Sequence, residues 1–288
     1  MQPAATIMLL DDRPQLHVLM LRRRRESAFV GGMYLFPGGG LDPADAEEAV
    51  VALCPGLSGS EASQRLGLTG GGLAYWVAGI RETFEEAGVL LAWDPRAQRA
   101  ADLSDAAAAR RFAAHREAVD AGTASLAQIL RREGLELWVD PMHYAARWIT
   151  PSGPPRRYDT RFFVAPMPAG QAPQPDAREA ERVEWVRPAE ALERFAAGEM
   201  RMLPPTLGML RILAGFRCRD EALGAAAAAR SGPDHPARLV GSRDAWRVLL
   251  PGDPGYACDA AHPMQAWVRL RPPGAAPAAA PGRGFAGA

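Results

Sequence analysis

The stretch that most restricts how this chain can fold is Leu73–Gly88, LAYWVAGIRETFEEAG. It holds no proline and closes on a glycine, so it predicts a helix ending at Gly88. At 100° per residue, Trp76, Ile80, Phe84 and Ala87 share one side. Glu82, Glu85 and Glu86 spread over about 100° of the other. The apolar side must be buried against a second layer of structure. The acidic side has the opposite difficulty, because three neighbouring carboxylates repel one another. Solvent, arginine or a metal has to compensate, and Arg81 can supply part of that. A hard divalent cation such as Mg²⁺ takes oxygen ligands, and clustered carboxylates hold it beside a substrate phosphate. A plain solvated face would carry the same pattern. The context favours the metal: a glycine cluster, Gly38–Gly40, precedes the helix and a β-rich run follows it.

Around this helix the chain alternates strand and helix signals. Residues 5–10 and 17–22 read as a hairpin, with turn chemistry at Asp11-Asp12-Arg13-Pro14. Residues 43–53 predict a helix opening on Pro43, and the Gly/Ser-rich residues 55–72 predict a loop. A strand is expected over Val89–Trp93, then two helices within 103–133 broken near Gly122. Strands are expected over Tyr144–Ile149, Thr160–Val164 and Arg182–Val186, with a Pro-rich loop over Pro166–Pro175. Helices follow over Pro188–Ala196, with proline near its first position, and Leu203–Phe216. Residues 222–230 are low-complexity alanine. The final fifteen residues, rich in Ala, Pro and Gly, are expected to be disordered.

Composition excludes several classes. The 288 residues carry 33 basic and 33 acidic side chains, so no global basic face exists for nucleic acid or an anionic membrane. Every basic residue other than the five histidines is arginine, which fits a GC-rich coding bias. No run of about 18 apolar residues is present, so no membrane span is expected. The first aspartates come too early for a signal peptide. Cys54, Cys218 and Cys258 are odd in number and form no C-x-x-C pair, against a zinc ribbon or disulfide framework. A reducing cytoplasmic location is the expectation. The histidines, His17, His115, His143, His235 and His262, are scattered and none pairs at i,i+4. No G-x-S-x-G elbow supports a serine hydrolase.

With these residues on the page, a family pattern becomes visible. RETFEEAGV (Arg81–Val89) resembles the second half of the Nudix hydrolase signature, and FPGGGLDPAD resembles its first half. With Gly39 as the signature glycine, Asp45 falls at the first Glu position. Thirty-five residues then separate Asp45 from Arg81 instead of seven, so about residues 46–72 form an insertion inside the box. This interruption, with GMYLFPGG (Gly32–Gly39), ARWITP (Ala146–Pro151), RRYDTRFFVA (Arg156–Ala165), EWVRPAEAL (Glu184–Leu192) and LPPTLGML (Leu203–Leu210), resembles the Nudix subgroup of peroxisomal-type coenzyme A diphosphatases.

The resemblance implies an α+β Nudix fold: a mixed β-sheet between helices, with inserted helices at about 43–72 and 95–133. It assigns 1–215 to the Nudix domain and 216–288 to a C-terminal extension. It implies an enzyme hydrolysing a diphosphate bond in a nucleoside diphosphate derivative, coenzyme A or acyl-CoA among the candidates. An ADP-sugar, a dinucleoside polyphosphate and NADH stay open as substrates, as does a non-catalytic nucleotide-binding module. The implied cofactor is Mg²⁺ or Mn²⁺, held by Glu82, Glu85, Glu86 and the Gly39 carbonyl. Arg81 is expected to orient a carboxylate through a bidentate pair. The general base is Glu82 or a loop carboxylate such as Glu179. Gly38, Arg157 and Arg161 are the candidates for substrate phosphate, because guanidinium suits bidentate phosphate contacts. Partners are a small-molecule nucleotide, with no nucleic acid and no membrane, and a homodimer remains open.

Overall fold

The computed structural model describes residues 1–26, 31–241, 247–256 and 264–273. The segment expected to be disordered (274–288), Cys258 and His262 lie outside the described residues.

Strand β1 (Gln2–Asp12) turns back through Arg13–Gln15 into β2 (Leu16–Arg23), the hairpin read from the sequence. Short strands β3 (Tyr34–Leu35) and β4 (Gly38–Gly40) follow, β4 running antiparallel to the first half of β1. A 3-10 turn (Pro43–Ala46) leads into the insertion, which contains α1 (Glu48–Val51) and α2 (Gly59–Leu66). Helix α3 (Leu73–Ala87) is the acidic helix, ended by Gly88 in the left-handed conformation at φ +67°. Then come β5 (Ala92–Asp94), β6 (Arg99–Ala100), α4 (Ala106–Asp120), α5 (Leu126–Glu133) and β7 (Glu136–Leu137). The chain continues through β8 (His143–Ile149), β9 (Tyr158–Pro166) and β10 (Ala180–Val186). Helices α6 (Pro188–Ala196), α7 (Pro204–Leu213) and α8 (Arg219–Ala228) precede β11 (His235–Val240), β12 (Arg247–Leu249) and β13 (Gln265–Val268).

The main sheet runs β10-β2-β1-β9-β8-β13-β11-β12, with β3 on β2 and β4 on β1. Only β1 and β9 run parallel along this path, so the sheet is mixed. Side chains alternate between faces with period two. Ile7, Leu9, Leu19, Leu21, Phe163 and Ala165 join the core shared with α3. Met8, Leu10, Val18, Met20, Phe162 and Val164 join the opposite core, beneath α7 and α8. The sheet is therefore sandwiched between helical layers, the α+β arrangement expected.

Helix α3 approaches β1 closely because Gly79 carries no side chain. A Cβ there would lie 3.0 Å from Ile7 Cγ1 and 3.1 Å from Met142 Cε. The Trp76 indole N–H donates to the Met142 carbonyl at 3.1 Å, and its ring sits 4.7 Å from that of Phe163. These contacts seat the apolar stripe read from the sequence.

Three expectations change. The Gly/Ser-rich 55–72 is not all loop: Ser58 and Glu61 form a reciprocal capping box that starts α2. Composition hid a cap signature that was present. Residues 43–53 divide into the 3-10 turn and the single turn of α1. The strand expected over Val89–Trp93 begins only at Ala92, since Val89–Leu91 is buried connection. The alanine run is the body of α8, with Ala222 and Ala226 buried. Beyond residue 216, β13 pairs with β8, so the C-terminal segment widens the same sheet.

Phe163→Ala should lower the unfolding free energy by about 3–5 kcal/mol, read as a shifted urea midpoint at constant slope. Val268→Asp, which places a charge in the core from β13, should destabilise the whole domain in one transition. A separate low-stability transition confined to the C-terminal strands would contradict a single shared sheet.

Candidate functional site

The site forms where β4 passes across the acidic side of α3. Pairing of Ala5 with Gly39 and Thr6 with Gly38 fixes β4 on the edge of β1. The Gly38 N–H donates to Glu86 Oε2 at 2.8 Å. A Cβ on Gly39 would collide with the Glu82 carboxylate, 2.5 Å from its Cδ. Glycine is what lets the strand backbone lie against that carboxylate. The two halves of the interrupted motif are thus in contact.

Arg81 is the hub. Its Nε and Nη2 donate to the two oxygens of Asp45 at 2.9 and 3.0 Å, a bidentate pair. Nη2 also donates to the Gly40 carbonyl at 2.8 Å. Nη1 reaches Glu82 at 2.9 Å and Glu85 at 3.2 Å. Asp45 is 2% exposed. It also accepts from the Asp42 N–H, closing the capping box of the 3-10 turn. The Asp45–Arg81 pair therefore joins the two ends of the insertion. Burial alone would weaken the Arg81 charge, but Asp45 and the fields of Glu82 and Glu85 hold its pKa above the ordinary value.

The carboxylates are held out of water. Burial raises Glu82, with Arg81 opposing and Glu179 and Asp45 adding to the rise. Burial lifts Glu85 to about 7 against the pull of Arg81. Glu86 rises furthest, through burial first and repulsion from Glu82 second, with the Gly38 N–H and Arg23 opposing. Arg23 spans Glu86 at 3.8 Å and Glu179 at 3.7 Å, so the loop carboxylate singled out in the sequence reaches the cluster. Its neighbour Glu181 pairs instead with Arg22 at 2.9 Å. Among the described residues these five carboxylates pair with Arg81 and Arg23, with Arg116 adding its field at Glu86, and the donor set, all hard oxygen, suits a divalent cation. Among the described residues no three acidic, His or Cys side chains already converge on one metal position. Arg81 draws Glu82 and Glu85 towards itself, while Glu86 turns to Gly38.

The candidate phosphate arginines lie one strand beyond β1. Arg161 pairs across to Ala5 in register, the same β1 residue that pairs with Gly39. Its side chain is 1% exposed, and Nη1 donates to Asp159 at 2.7 Å. Arg147 also clamps Asp159, at 2.6 and 2.8 Å. Arg157 is half-buried, and its side chain donates to the Thr150 carbonyl through Nε. Of the two, Arg157 is the more open to a ligand. Sequence reasoning missed Arg23. Its signal was its place at the end of β2 in the run Arg22–Arg25, where strand alternation turns every second side chain to the α3 face. Cys54 is buried and its thiol is pushed up to about 12, which suits packing and not nucleophilic attack.

The profile of the NUDT19 Nudix domain matches residues 60–213. The chain is 30% identical over 279 residues to the chicken protein named acyl-coenzyme A diphosphatase NUDT19, covering 84% of this chain and 73% of that one. It is 26% identical over 228 residues to the human protein of the same name, covering 69% of this chain and 60% of the human sequence. Among solved structures, a NUDIX hydrolase from Alicyclobacillus acidocaldarius superposes with TM-score 0.63 at 25% identity, over 78% of this chain and 96% of that one. Among the described residues no helix is long and apolar enough to cross a membrane.

Asp45→Ala should cost about 3–5 kcal/mol of stability, because it strands the enclosed Arg81 charge. In a double-mutant cycle with Arg81→Ala the two losses should fall well short of additive, by about 1–3 kcal/mol. Additive losses would mean that the pair does not join the motif halves.

Proposed function

The chain belongs to the Nudix hydrolase family, and on that premise we propose that this enzyme cleaves coenzyme A or its acyl esters, releasing 3′,5′-ADP and a phosphopantetheine. It is a hydrolase of diphosphate bonds. The observation that carries the catalytic reading is the contact of Gly38 and Gly39 with Glu86 and Glu82 across the inserted segment. The coenzyme A reading rests on the name shared by the chicken and human relatives. Residues 1–215 serve as the catalytic unit, and the segment after 216 widens its sheet.

Glu82, Glu85, Glu86 and the Gly39 carbonyl are the groups that would hold Mg²⁺ or Mn²⁺. The bound cation would supply charge neutralisation on the diphosphate oxygens and acidify a coordinated water. The protein's own groups do the rest. Arg81 holds Glu82 and Glu85 in place, and the Gly38 N–H orients Glu86. The glycine backbone of β4 leaves room for the diphosphate to approach. Water attacks phosphorus in line, and a carboxylate takes its proton. Glu82 is bonded to Arg81, whereas Glu179 keeps 47% of its side chain exposed, so we assign the proton to Glu179. Arg157 is the contact for the 3′-phosphate. The intact acidic set argues against a non-catalytic module, which would have no need of three enclosed, mutually repelling glutamates.

Glu86→Gln should lower kcat by several orders of magnitude with the fold intact, and EDTA should abolish turnover. Near-wild-type turnover of that variant, or full activity in EDTA, would falsify the assignment. Glu179→Gln should cost about 10²–10⁴ in kcat with little change in KM, whereas a negligible effect would return the base role to Glu82.

The substrate is settled by offering coenzyme A, 3′-dephospho-coenzyme A, ADP-ribose and a dinucleoside polyphosphate with Mg²⁺ or Mn²⁺, and scoring the phosphomonoesters released. Arg157→Ala should raise KM for coenzyme A about tenfold to a hundredfold more than for the dephospho form, the size of a charge-assisted contact. Brisk cleavage of ADP-ribose beside none of coenzyme A would discard the coenzyme A reading and keep the Nudix hydrolase.

A further inference from the structure

Beside the carboxylate cluster, on the outer side of α3, lies a cavity of about 440 Å³. One wall is α3 itself, through Val77, Arg81 and Glu85. The remaining walls come from the two inserted segments. The 3-10 turn and α1 contribute Asp45 and Val50, and the α4–α5 junction contributes Val119, Ala124 and Leu126. Its size is that of a small-ligand pocket. Glu85 stands where the cavity meets the catalytic carboxylates, so a substrate held there would have its next group within reach of this space.

The lining chemistry is selective. Val50, Val77, Val119 and Leu126 are apolar, and Ser125 offers a hydroxyl. Asp42 and Glu47 add negative charge to Asp45 and Glu85, while Asp120 is already paired with Arg178. Arg81 is the single cation among the lining residues, and its donors are already engaged by Asp45, Gly40, Glu82 and Glu85. Phosphate and carboxylate groups are repelled from such a space, while a neutral chain carrying amides and methyl groups is accepted.

We infer that this cavity receives the neutral arm of the substrate on the far side of the diphosphate from the nucleoside. This rests on the coenzyme A reading, in which that arm is the amide-linked pantetheine chain. The inserted segments are then the specificity element of the enzyme, and the nucleotide, with its phosphates, lies outside the cavity.

Ala124 lines the cavity from the α4–α5 junction, opposite the α3 wall that carries Arg81 and Glu85, so Ala124→Phe is the direct test, with Ala124→Val as a smaller filling. Binding is measured by calorimetry in EDTA, and turnover with Mg²⁺. The substrates are coenzyme A and the methyl diphosphate ester of adenosine 3′-phosphate, which keeps the nucleotide and diphosphate but lacks the arm. Ala124→Phe should weaken binding of coenzyme A and raise its KM by about tenfold or more, with Ala124→Val intermediate, while leaving the methyl ester within about twofold. Equal effects on both ligands, or none on coenzyme A, would overturn the inference. If Ala124→Phe fails to fold, the same comparison made with Ala124→Val decides it. If wild-type protein neither binds nor cleaves coenzyme A, the coenzyme A reading fails, and this inference fails with it for a separately visible reason.

Discussion

The arrangement depends on one guanidinium. Arg81 is charged, largely enclosed, and donates to Asp45, Gly40, Glu82 and Glu85. A buried charge is tolerable only when its partners are all in place. The Gly-rich strand, the start of the insertion and the acidic helix are therefore held in one register. Thirty-five residues intervene between Asp45 and Arg81, yet the two meet with both carboxylate oxygens bonded. The two ends of the insertion are thereby pinned together.

The same hub leaves the cluster electrostatically unbalanced. Arg81 and Arg23 face Asp45, Glu82, Glu85, Glu86 and Glu179, and burial raises the three helix glutamates above their ordinary values. Such an arrangement persists because the scaffold over-determines it. Helix α3 is seated on the sheet by Trp76, Ile80 and Phe84, and β4 is paired along β1. That repulsion is what a divalent cation bound there would relieve.

The inserted segments and the C-terminal segment differ in what they do. The insertions build on the outer side of α3 and enclose space next to its carboxylates. The C-terminal strands add to the far edge of the sheet through β8 and bury Ala266, Val268 and Leu270 in the core opposite α3. One borders the carboxylate cluster, and the other extends the sheet.

Much was legible from local pattern. The apolar stripe and acidic side of α3, its glycine stop, the β1–β2 hairpin and the strands β8 to β10 all follow from periodicity and turn chemistry, which are properties of neighbouring residues. Helix α2 was legible in principle through Ser58 and Glu61 but was obscured by glycine-rich composition. Other features were not local. Nothing in the sequence says that β13 will pair with β8 or that Arg23 will stand between Glu86 and Glu179. Those depend on which strands become neighbours, and strand order is decided by long-range packing and loop closure. The sequence by itself therefore determined the chemistry of the site, because carboxylates at helical spacing must share a face. The tertiary structure alone decided which arginines neutralise them, which stay open to a ligand, and what space the inserted segments enclose.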